Sequence, residues 1–316
     1  MGKRGRAGVT IREVMPEYSI GLDLGGTNLR AAAVKKTGEM LGIKLGKTNY
    51  AEGREAIVGD MVDAISALRE EFGAGDLDGI GVAVPGFIEM EKGVIRSSNN
   101  LTSLENFPIR EVLSERLGAP VILENDANAA ALGEKWIGAG RTVNDLLLIT
   151  LGTGIGGGII ADGRILRGFM GMAGEVGHIS IDPQGNPCGC GNRGCVEKHA
   201  SATAISGMAR MMLGEALTAK QVYDLAMAGN ERALTIFAVM GESLGKLLAM
   251  LINAFNFPLF LLSGGPLDSW DLFAPAMMEE VKRRSVTARL TNTVIAKAGL
   301  GNKAGLYGAA YLPWMK

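Results

Sequence analysis

Histidine and cysteine are scarce in this sequence, which has two histidines and three cysteines among 316 residues. All three cysteines lie between positions 188 and 195, so they cannot form the disulfide framework of a small secreted domain. Neither sign of charge dominates, since 32 basic and 33 acidic side chains give a formal net charge of -1. The overall positive field of nucleic-acid and membrane-surface binding proteins is therefore absent. We expect a cytoplasmic protein with small-molecule partners, and neither nucleic acid nor a membrane among them.

Long apolar runs are also missing. Residues 1–17 carry basic side chains without a continuous apolar stretch, which predicts a loose basic tail rather than a secretory signal. Within the longest uncharged run, the apolar stretch Leu247 to Leu262 is too short for a membrane span and is interrupted by asparagine and proline. It predicts a buried helix, a turn and a buried strand.

Glycine is abundant, at 46 residues, which is about twice its usual share. The length predicts two domains, and glycine-rich turns divide the sequence into two similar halves. Strand-like segments Tyr18–Leu24 and Leu146–Leu151 are each followed by a glycine and threonine turn, at 25–28 and 152–158, and then by another strand. The repetition predicts two related α/β lobes. A third turn, Gly264-Gly265, also follows a predicted strand.

Such turns let backbone N–H groups approach phosphate oxygens closely. Residues 152–157 satisfy the pattern G-x-G-x-x-G, but a strand rather than a helix is predicted to follow, which argues against a dinucleotide site. The G-x-x-x-x-G-K-[ST] phosphate loop is absent from the sequence. Hairpin amides therefore remain the candidates for holding a nucleotide's phosphates.

Asp126 is the best candidate for a general base. It follows the predicted strand Val121–Leu123 and precedes the predicted helix Ala127–Trp136. Asparagine and aspartate at such a point are also good helix caps. The sequence leaves both roles open for Asp126.

Three thiols within eight residues, Cys188, Cys190 and Cys195, suit three corners of a tetrahedral zinc site. His178 and His199 are both near enough in sequence to be the fourth ligand, and spacing alone favours His199. A closed site with four protein ligands has no open coordination position, so we predict a structural zinc.

Together these motifs resemble the ROK family, and within it the bacterial glucokinases, from about Ser19 to Leu312. The matching segments are DLGGT at 23–27, PG at 85–86, ENDAN at 124–128, LGTGIG at 151–156, AGEVGH at 173–178 and CGCGNRGCVE at 188–197. The resemblance implies a two-lobed, actin-like (ribonuclease-H-like) α/β ATPase fold with a cleft between the lobes and a structural zinc loop. We assign residues 18–122 to a small lobe, completed by the C-terminal helix 303–316, and 123–302 to a large lobe.

The resemblance also implies an ATP-dependent hexose kinase that uses Mg²⁺, most similar to enzymes that convert glucose to glucose 6-phosphate and that form homodimers or homotetramers. It makes Asp126 the catalytic base and His178 the fourth zinc ligand beside Cys188, Cys190 and Cys195. The implied sugar-binding residues are Gly86, Asn100, Asn125, Asp126, Glu175, His178 and Glu197. The implied nucleotide-binding residues are Asp23, Gly25, Gly26, Thr27, Gly152, Thr153 and Gly154 for the phosphates and magnesium, and Gly264 and Gly265 near adenosine.

Two other functions compete with this one. The first is a kinase for another sugar, such as N-acetylmannosamine, fructose or allose, which family membership does not separate from a glucokinase. The second is a sugar-responsive transcriptional regulator of the same family. We disfavour it because such regulators carry a helix-turn-helix region of tens of residues before the first glycine motif, and here only 22 residues precede Asp23.

Overall fold

The structure, a computed structural model, describes residues 17–26, 28–73, 77–98 and 101–315. The described residues form the strands β1 (Tyr18–Leu24), β2 (Asn28–Lys35), β3 (Met40–Lys47), β4 (Leu77–Val84), β5 (Phe87–Glu89), β6 (Val94–Ser97), β7 (Val121–Asn125), β8 (Leu146–Leu151), β9 (Ile155–Ala161), β10 (Arg164–Ile165), β11 (Leu259–Ser263) and β12 (Val294–Lys297). The α-helices are α1 (Arg54–Phe72), α2 (Ile109–Leu117), α3 (Asp126–Trp136), α4 (Glu197–Ala200), α5 (Ala202–Leu213), α6 (Ala219–Met227), α7 (Glu231–Phe255), α8 (Trp270–Arg284), α9 (Val286–Leu290) and α10 (Ala304–Tyr311). The predicted basic tail lies outside the described residues except for Glu17.

Two five-stranded sheets have the same topology. The first has the strand order β3-β2-β1-β4-β7 and the second has the order β10-β9-β8-β11-β12. In each sheet the first three strands pair antiparallel and the last two are added in parallel. The repetition of the glycine hairpin in sequence therefore reflects a repeated architecture, as predicted.

The strand β8 shows how each sheet is covered on both faces. Side chains alternate along a strand, and Leu147, Ile149 and Leu151 pack into the core formed with α5, α7 and α8. Leu146 and Leu148 face the opposite side, where they pack with alanines of α3. The sheet is thus buried between two layers of helices, which is typical of parallel strands in α/β proteins.

The helices α3 and α10 cross at very short range between the sheets. A Cβ on Gly308 would lie 1.6 Å from the carbonyl oxygen of Ala129, and a Cβ on Gly133 would lie 2.2 Å from that of Ala304. On its other side α10 lies against β1 and β4, where Gly21 and Gly81 leave no room for a side chain. Glycine at these positions lets α10 pack directly on both the sheet and α3.

Two local features differ from the sequence-based expectation. The turn predicted at 152–158 is shorter, because β9 already begins at Ile155. Gly158 lies within this strand. The residue must be glycine because the backbone of α3 passes so close that a Cβ at 158 would lie 2.3 Å from the carbonyl oxygen of Ala127. The predicted boundary between residues 122 and 123 falls inside β7, which pairs with β4 as far as Asn125. We therefore propose that the small lobe extends to Asn125.

The helix α7 is long and apolar enough to cross a membrane, but 67% of its most apolar segment is buried within the protein. It packs against α8 and α5 as a core helix. The uncharged run at 247–262 forms the end of this helix, a turn and the buried strand β11, as predicted.

Candidate active site

Two adjoining pockets bring the predicted site residues together. The first, a cleft of about 450 Å³, is lined by Gly86, Asn125, Asp126, Gly152, Thr153, Gly154, Glu175, His178 and Glu197. The second is lined by Asp23, Gly25, Gly26 and Asp126. Asp126 lies in both pockets, at the point where they meet. These positions come from both halves of the chain, so the site forms only when the two halves pack together.

Four predicted residues need separate description. Thr27 and Asn100 lie outside the described residues. Gly264 and Gly265 follow Ser263 of the second pocket but do not line either pocket themselves. Gly264 has a φ of 111°, and a Cβ there would lie 1.8 Å from the carbonyl oxygen of Leu151. This glycine is therefore required for the chain to pass the end of β8, whatever its part in nucleotide binding.

The junction of β7 and α3 shows which residue caps the helix. Asn125 has extended backbone, and its Oδ1 accepts hydrogen bonds from the N–H groups of Ala127 and Asn128, at 2.9 and 3.1 Å. Its Nδ2 donates to the carbonyl oxygen of Gly86 at 3.2 Å. The cap role that the sequence left open for Asp126 is therefore filled by Asn125. Asp126 opens the first turn, where its Oδ1 also accepts from the Ala127 N–H at 2.9 Å.

The carboxylates of the site influence one another's ionisation. Burial, and secondarily the charges of Asp23 and Glu175, raise the pKa of Asp126 to about 6. Burial also raises the pKa of Asp23, although Arg30 at 4.0 Å partly opposes this. A carboxyl group with a pKa near neutrality is suited to accept a proton during a reaction.

Glu175, His178 and Glu197 line the other side of the first pocket. Burial raises the pKa of Glu175, and the nearby His178 opposes the shift, with its Nε2 3.9 Å from Glu175 Oε2. Glu197 Oε2 accepts a hydrogen bond from the Ile155 N–H at 3.2 Å, which fixes the carboxylate beside the glycine turn. Carboxylates and imidazole nitrogens in this arrangement can bind several hydroxyl groups of one small polar molecule.

His178, Cys188, Cys190 and Cys195 could hold a metal ion, because their ligand atoms all lie within 4.8 Å of one another. The Cys188 Sγ to His178 Nδ1 distance is 3.6 Å and the Cys190 Sγ to Cys195 Sγ distance is 3.7 Å. A tetrahedral zinc with bonds of about 2.3 Å to sulfur and 2.0 Å to nitrogen requires edges of about 3.5 to 3.8 Å. The donor set therefore fits zinc.

The expectation from spacing that His199 completes this group is wrong. His199 lies on α4, and its Nε2 is buried beside Gly185 without a hydrogen-bond partner among the described residues. A short helical turn at Val176–His178 directs the ring of His178 toward the thiols instead. The two nitrogens of this ring face different sites, because Nδ1 faces the thiols and Nε2 faces the cleft.

The sequence reasoning missed an ion pair between a buried glutamate and a partly exposed arginine that connects the two sides of the site. Glu124 on β7 is fully buried, and two nitrogens of Arg167 lie 2.8 Å from its Oε2. Its Oε1 accepts hydrogen bonds from the Asn125 N–H and from Asn128 Nδ2. Arg167 begins the segment that leads to Glu175. No sequence signal joins residues 43 positions apart, although a glutamate at the end of a buried strand needs a partner.

The segment after Arg167 is a closed loop with an exposed tip. The Ala173 N–H donates to the carbonyl oxygen of Arg167 at 3.0 Å, which joins the two ends of the loop. Gly168 and Gly171 have positive φ angles of 70° and 81° and turn the chain. A Cβ on Gly171 would lie 2.8 Å from the carbonyl oxygen of Ile88 on β5. Between these glycines, Phe169 is 99% exposed.

Thr150 and Arg30 are further polar residues of the pockets that the sequence analysis did not identify. Thr150 lines both pockets, and Arg30 lines the second. Arg30 donates from Nη1 to the carbonyl oxygen of Asn302 at 2.5 Å. Their positions in the strands could have identified both residues from the sequence, since each continues an alternating row of side chains into the cleft.

The family model described as ROK family matches residues 19–315. The chain belongs to the ROK family. The glucokinase of Halalkalibacterium halodurans is 37% identical over 93% of this chain and 94% of its own length. An N-acetyl-D-glucosamine kinase of Haemophilus influenzae is 33% identical over 92% of the chain and 98% of its own length. A xylose repressor of Caldicellulosiruptor bescii is 30% identical over 92% of the chain, which spans 76% of that repressor.

Solved structures of the ROK family agree with this fold. The ROK hexokinase of Thermus thermophilus superposes with a TM-score of 0.85 at 35% identity, covering 93% of this chain and 96% of that one. A ROK glucokinase of Streptomyces griseus, solved with glucose and AMPPNP, superposes with a TM-score of 0.78 at 32% identity, covering 93% and 98%. The two similar halves of this ROK protein therefore have the actin-like α/β ATPase fold that the sequence predicted.

Proposed function

We propose that this ROK protein is an ATP-dependent hexose kinase whose main substrate is glucose, phosphorylated on the 6-hydroxyl group. The observation that carries the proposal is the position of Asp126, where the carboxylate-lined cleft meets the second pocket with its glycine turn. Its relatives include both glucokinases and repressors, so the family alone does not establish catalysis. A base at the junction of a sugar pocket and a phosphate pocket is what phosphoryl transfer to an alcohol requires.

In this proposal the sugar occupies the first pocket. Glu175, Glu197 and His178 bind its ring hydroxyl groups. The second N–H of the Asn125 side-chain amide donates to another hydroxyl group of the sugar. Asp126 accepts the proton of the 6-hydroxyl as that oxygen attacks the γ-phosphorus, and ADP leaves. Because most of this catalysis consists of positioning, the fixed cap at Asn125 and the hydrogen bond of Glu197 to Ile155 support the reaction geometrically.

The nucleotide phosphates occupy the second pocket and the glycine turn at 152–154. Backbone N–H groups of Gly26, Thr153 and Gly154 bind phosphate oxygens, whereas those of Gly25 and Gly152 close the turns by donating to the carbonyl oxygens of Asn28 and Gly154. Arg30 adds a positive charge. A magnesium ion bound with ATP would neutralise the charge that develops on the phosphates, and Asp23 is the carboxylate placed to hold it.

We also propose that His178, Cys188, Cys190 and Cys195 bind one structural zinc ion. A cytoplasmic location follows in this proposal, because a reducing compartment keeps three such thiols free to bind metal. Through the second ring nitrogen of His178, the metal site would hold a sugar-binding group in place. The homodimer or homotetramer expected from the sequence stays a prediction.

The zinc proposal predicts different results for the two histidines of the chain. Wild-type protein is expected to hold about one zinc ion per chain, and His199→Ala is expected to retain it. Cys188→Ala and His178→Ala are expected to lose most of it, because each removes one of four ligands. Zinc released by a thiol-blocking reagent and measured with a colorimetric chelator checks this. Full zinc content in Cys188→Ala, or its loss in His199→Ala, would contradict the assignment.

The substrate is tested by measuring the sugar phosphate formed across a panel of sugars. The panel contains glucose, N-acetylglucosamine, N-acetylmannosamine, fructose and allose, each assayed with ATP, ADP or polyphosphate as the phosphate donor. We expect glucose with ATP to give the highest kcat/KM. A higher value for N-acetylglucosamine or N-acetylmannosamine would replace glucose as the substrate and keep the kinase. Absence of transfer to every sugar, together with sugar binding, would reject the enzyme.

A further inference from the structure

Thr150 is the last member of a row of side chains on one face of β8. Leu146 and Leu148 on this face pack with alanines of α3, and alternation along the strand places Thr150 next in the row. At this point the apolar layer ends and the cleft begins. A hydroxyl group therefore occupies the position where the strand reaches the first turn of α3, beside Asp126.

The two pockets of the site share the lining residues Asp126, Ala127 and Thr150. Residues that border both pockets border the place where the transferred group passes from one to the other. Asp126 supplies the base. The N–H of Ala127 is already engaged by the side chains of Asn125 and Asp126. Of the three, Thr150 offers a donor that makes no hydrogen bond to another described side chain or backbone group.

The strand opposite Thr150 leaves space for this hydroxyl group. Thr150 pairs with Gly156 on β9, and a Cβ on residue 156 would lie 2.8 Å from Thr150 Oγ1. Any side chain at 156 would therefore displace the hydroxyl or cover it. Gly156 belongs to the glycine turn motif, but it lies inside the strand, so the turn itself does not require it.

On these grounds we propose that Thr150 is a further catalytic residue, whose hydroxyl donates a hydrogen bond to an oxygen of the phosphoryl group during its transfer. The inference rests on the proposed function and extends it. The phosphorus forms a bond to the sugar 6-oxygen and loses its bond to the oxygen that leaves with ADP. The 6-hydroxyl proton moves to Asp126, whereas Thr150 keeps its own proton throughout. Thr150 stabilises the charge on the equatorial oxygens, which Asp126 cannot do.

A neighbouring hydroxyl clarifies what is special about Thr150. Ser263 on β11 pairs with Thr150 in parallel register and also ends an apolar row. It lines the second pocket but not the first. We therefore expect Ser263 to affect nucleotide binding in both ground and transition states, whereas Thr150 acts mainly in the transition state.

The test compares Thr150→Val, which keeps the shape and loses the hydroxyl, with Thr150→Ser, which keeps the hydroxyl. We expect Thr150→Val to lower kcat by roughly 10²-fold, as loss of one preorganised donor does, with KM values for glucose and ATP changed by less than about threefold. Thr150→Ser should restore most of kcat. Thr235→Val, at an exposed position on α7, is the matched control and should behave like wild type.

A second measurement separates a transition-state contact from a structural effect. Affinity for ADP with aluminium fluoride and glucose, which mimics the transferring phosphoryl group, should fall in Thr150→Val by a factor similar to kcat. Affinity for AMPPNP with glucose should not change. An unchanged kcat in Thr150→Val, or a loss in Thr150→Ser equal to that in Thr150→Val, would overturn the proposal.

Failure of the proposed function gives a different pattern. If the wild-type chain transfers phosphate to no hexose, the kinase proposal fails, and Thr150 is then assessed by ATP hydrolysis and by ADP–aluminium fluoride binding without sugar. The role of Thr150 still predicts weaker hydrolysis and weaker analogue binding in Thr150→Val than in Thr235→Val. Equal values in the two variants would reject it independently.

Discussion

Replacing Asp126 with asparagine is expected to lower kcat by roughly 10² to 10⁴-fold, the usual contribution of a general base, while glucose still binds. The amide keeps the shape of the side chain, and its oxygen can still accept the Ala127 N–H that Asp126 Oδ1 accepts at 2.9 Å. Only the ability to take the proton is lost. Coupled ADP release measures kcat, and calorimetric titration measures sugar affinity.

The pH profile gives an independent control for this variant. Because the pKa of Asp126 is raised to about 6, wild-type kcat/KM should rise as the pH increases through about 6, where the carboxyl group ionises, and then level off. The residual activity of Asp126→Asn should lack this rise. Asp224→Asn, at an exposed position of α6 paired with Lys220, should show wild-type turnover and profile. Near-normal turnover in Asp126→Asn would remove Asp126 from the role of base.

Gly308→Ala is expected to lower the free energy of unfolding by about 3 kcal/mol, at the upper end for an overpacked core. The new Cβ would lie 1.6 Å from the carbonyl oxygen of Ala129. The helix α10 cannot retreat, since Gly21 and Gly81 already bring β1 and β4 into backbone contact with its other side. The crossing of α3 and α10 must therefore open. Urea unfolding followed by circular dichroism measures the change.

Gly207→Ala is the matched control for this substitution. Gly207 lies within α5, and no atom lies within 4 Å of the position that its Cβ would occupy. Alanine there should stabilise the protein by up to about 1 kcal/mol through its higher helix propensity. If the two variants unfold at the same urea concentration, close packing at Gly308 is not what stabilises the crossing. Insoluble Gly308→Ala beside soluble Gly207→Ala agrees with the prediction.

Local patterns in the sequence predicted most of the secondary structure near the site. The limits of β1 and β8 agree with those inferred from apolar runs and glycine turns, whereas the C-terminal helix expected at 303–316 ends at Tyr311. These elements are short and bounded by residues with strong backbone preferences, so neighbouring residues carry the information. The shared topology of the two sheets was also visible, because the hairpins at 18–34 and 146–161 repeat the same order.

Contacts between distant segments were not predictable in the same way. Spacing favoured His199 over His178, because spacing counts residues along the chain and cannot show the direction of a ring. The ion pair of Glu124 with Arg167 joins two segments that only the assembled fold brings together. Gly158 was assigned to a turn because the segment 152–158 is rich in glycine, as turns are. The close approach of α3 is what requires glycine at position 158.

The loop that begins at Arg167 offers an attachment point for a reporter group. Its ends are fixed by the hydrogen bond from Ala173 to Arg167 and by the Arg167 contact with Glu124, so the tip at Phe169 can be changed without moving either end. The loop also contacts Ile88 on β5 through Gly171, on the far side of the cleft. A fluorophore carried at residue 169 would therefore report changes in the contact between this loop and β5.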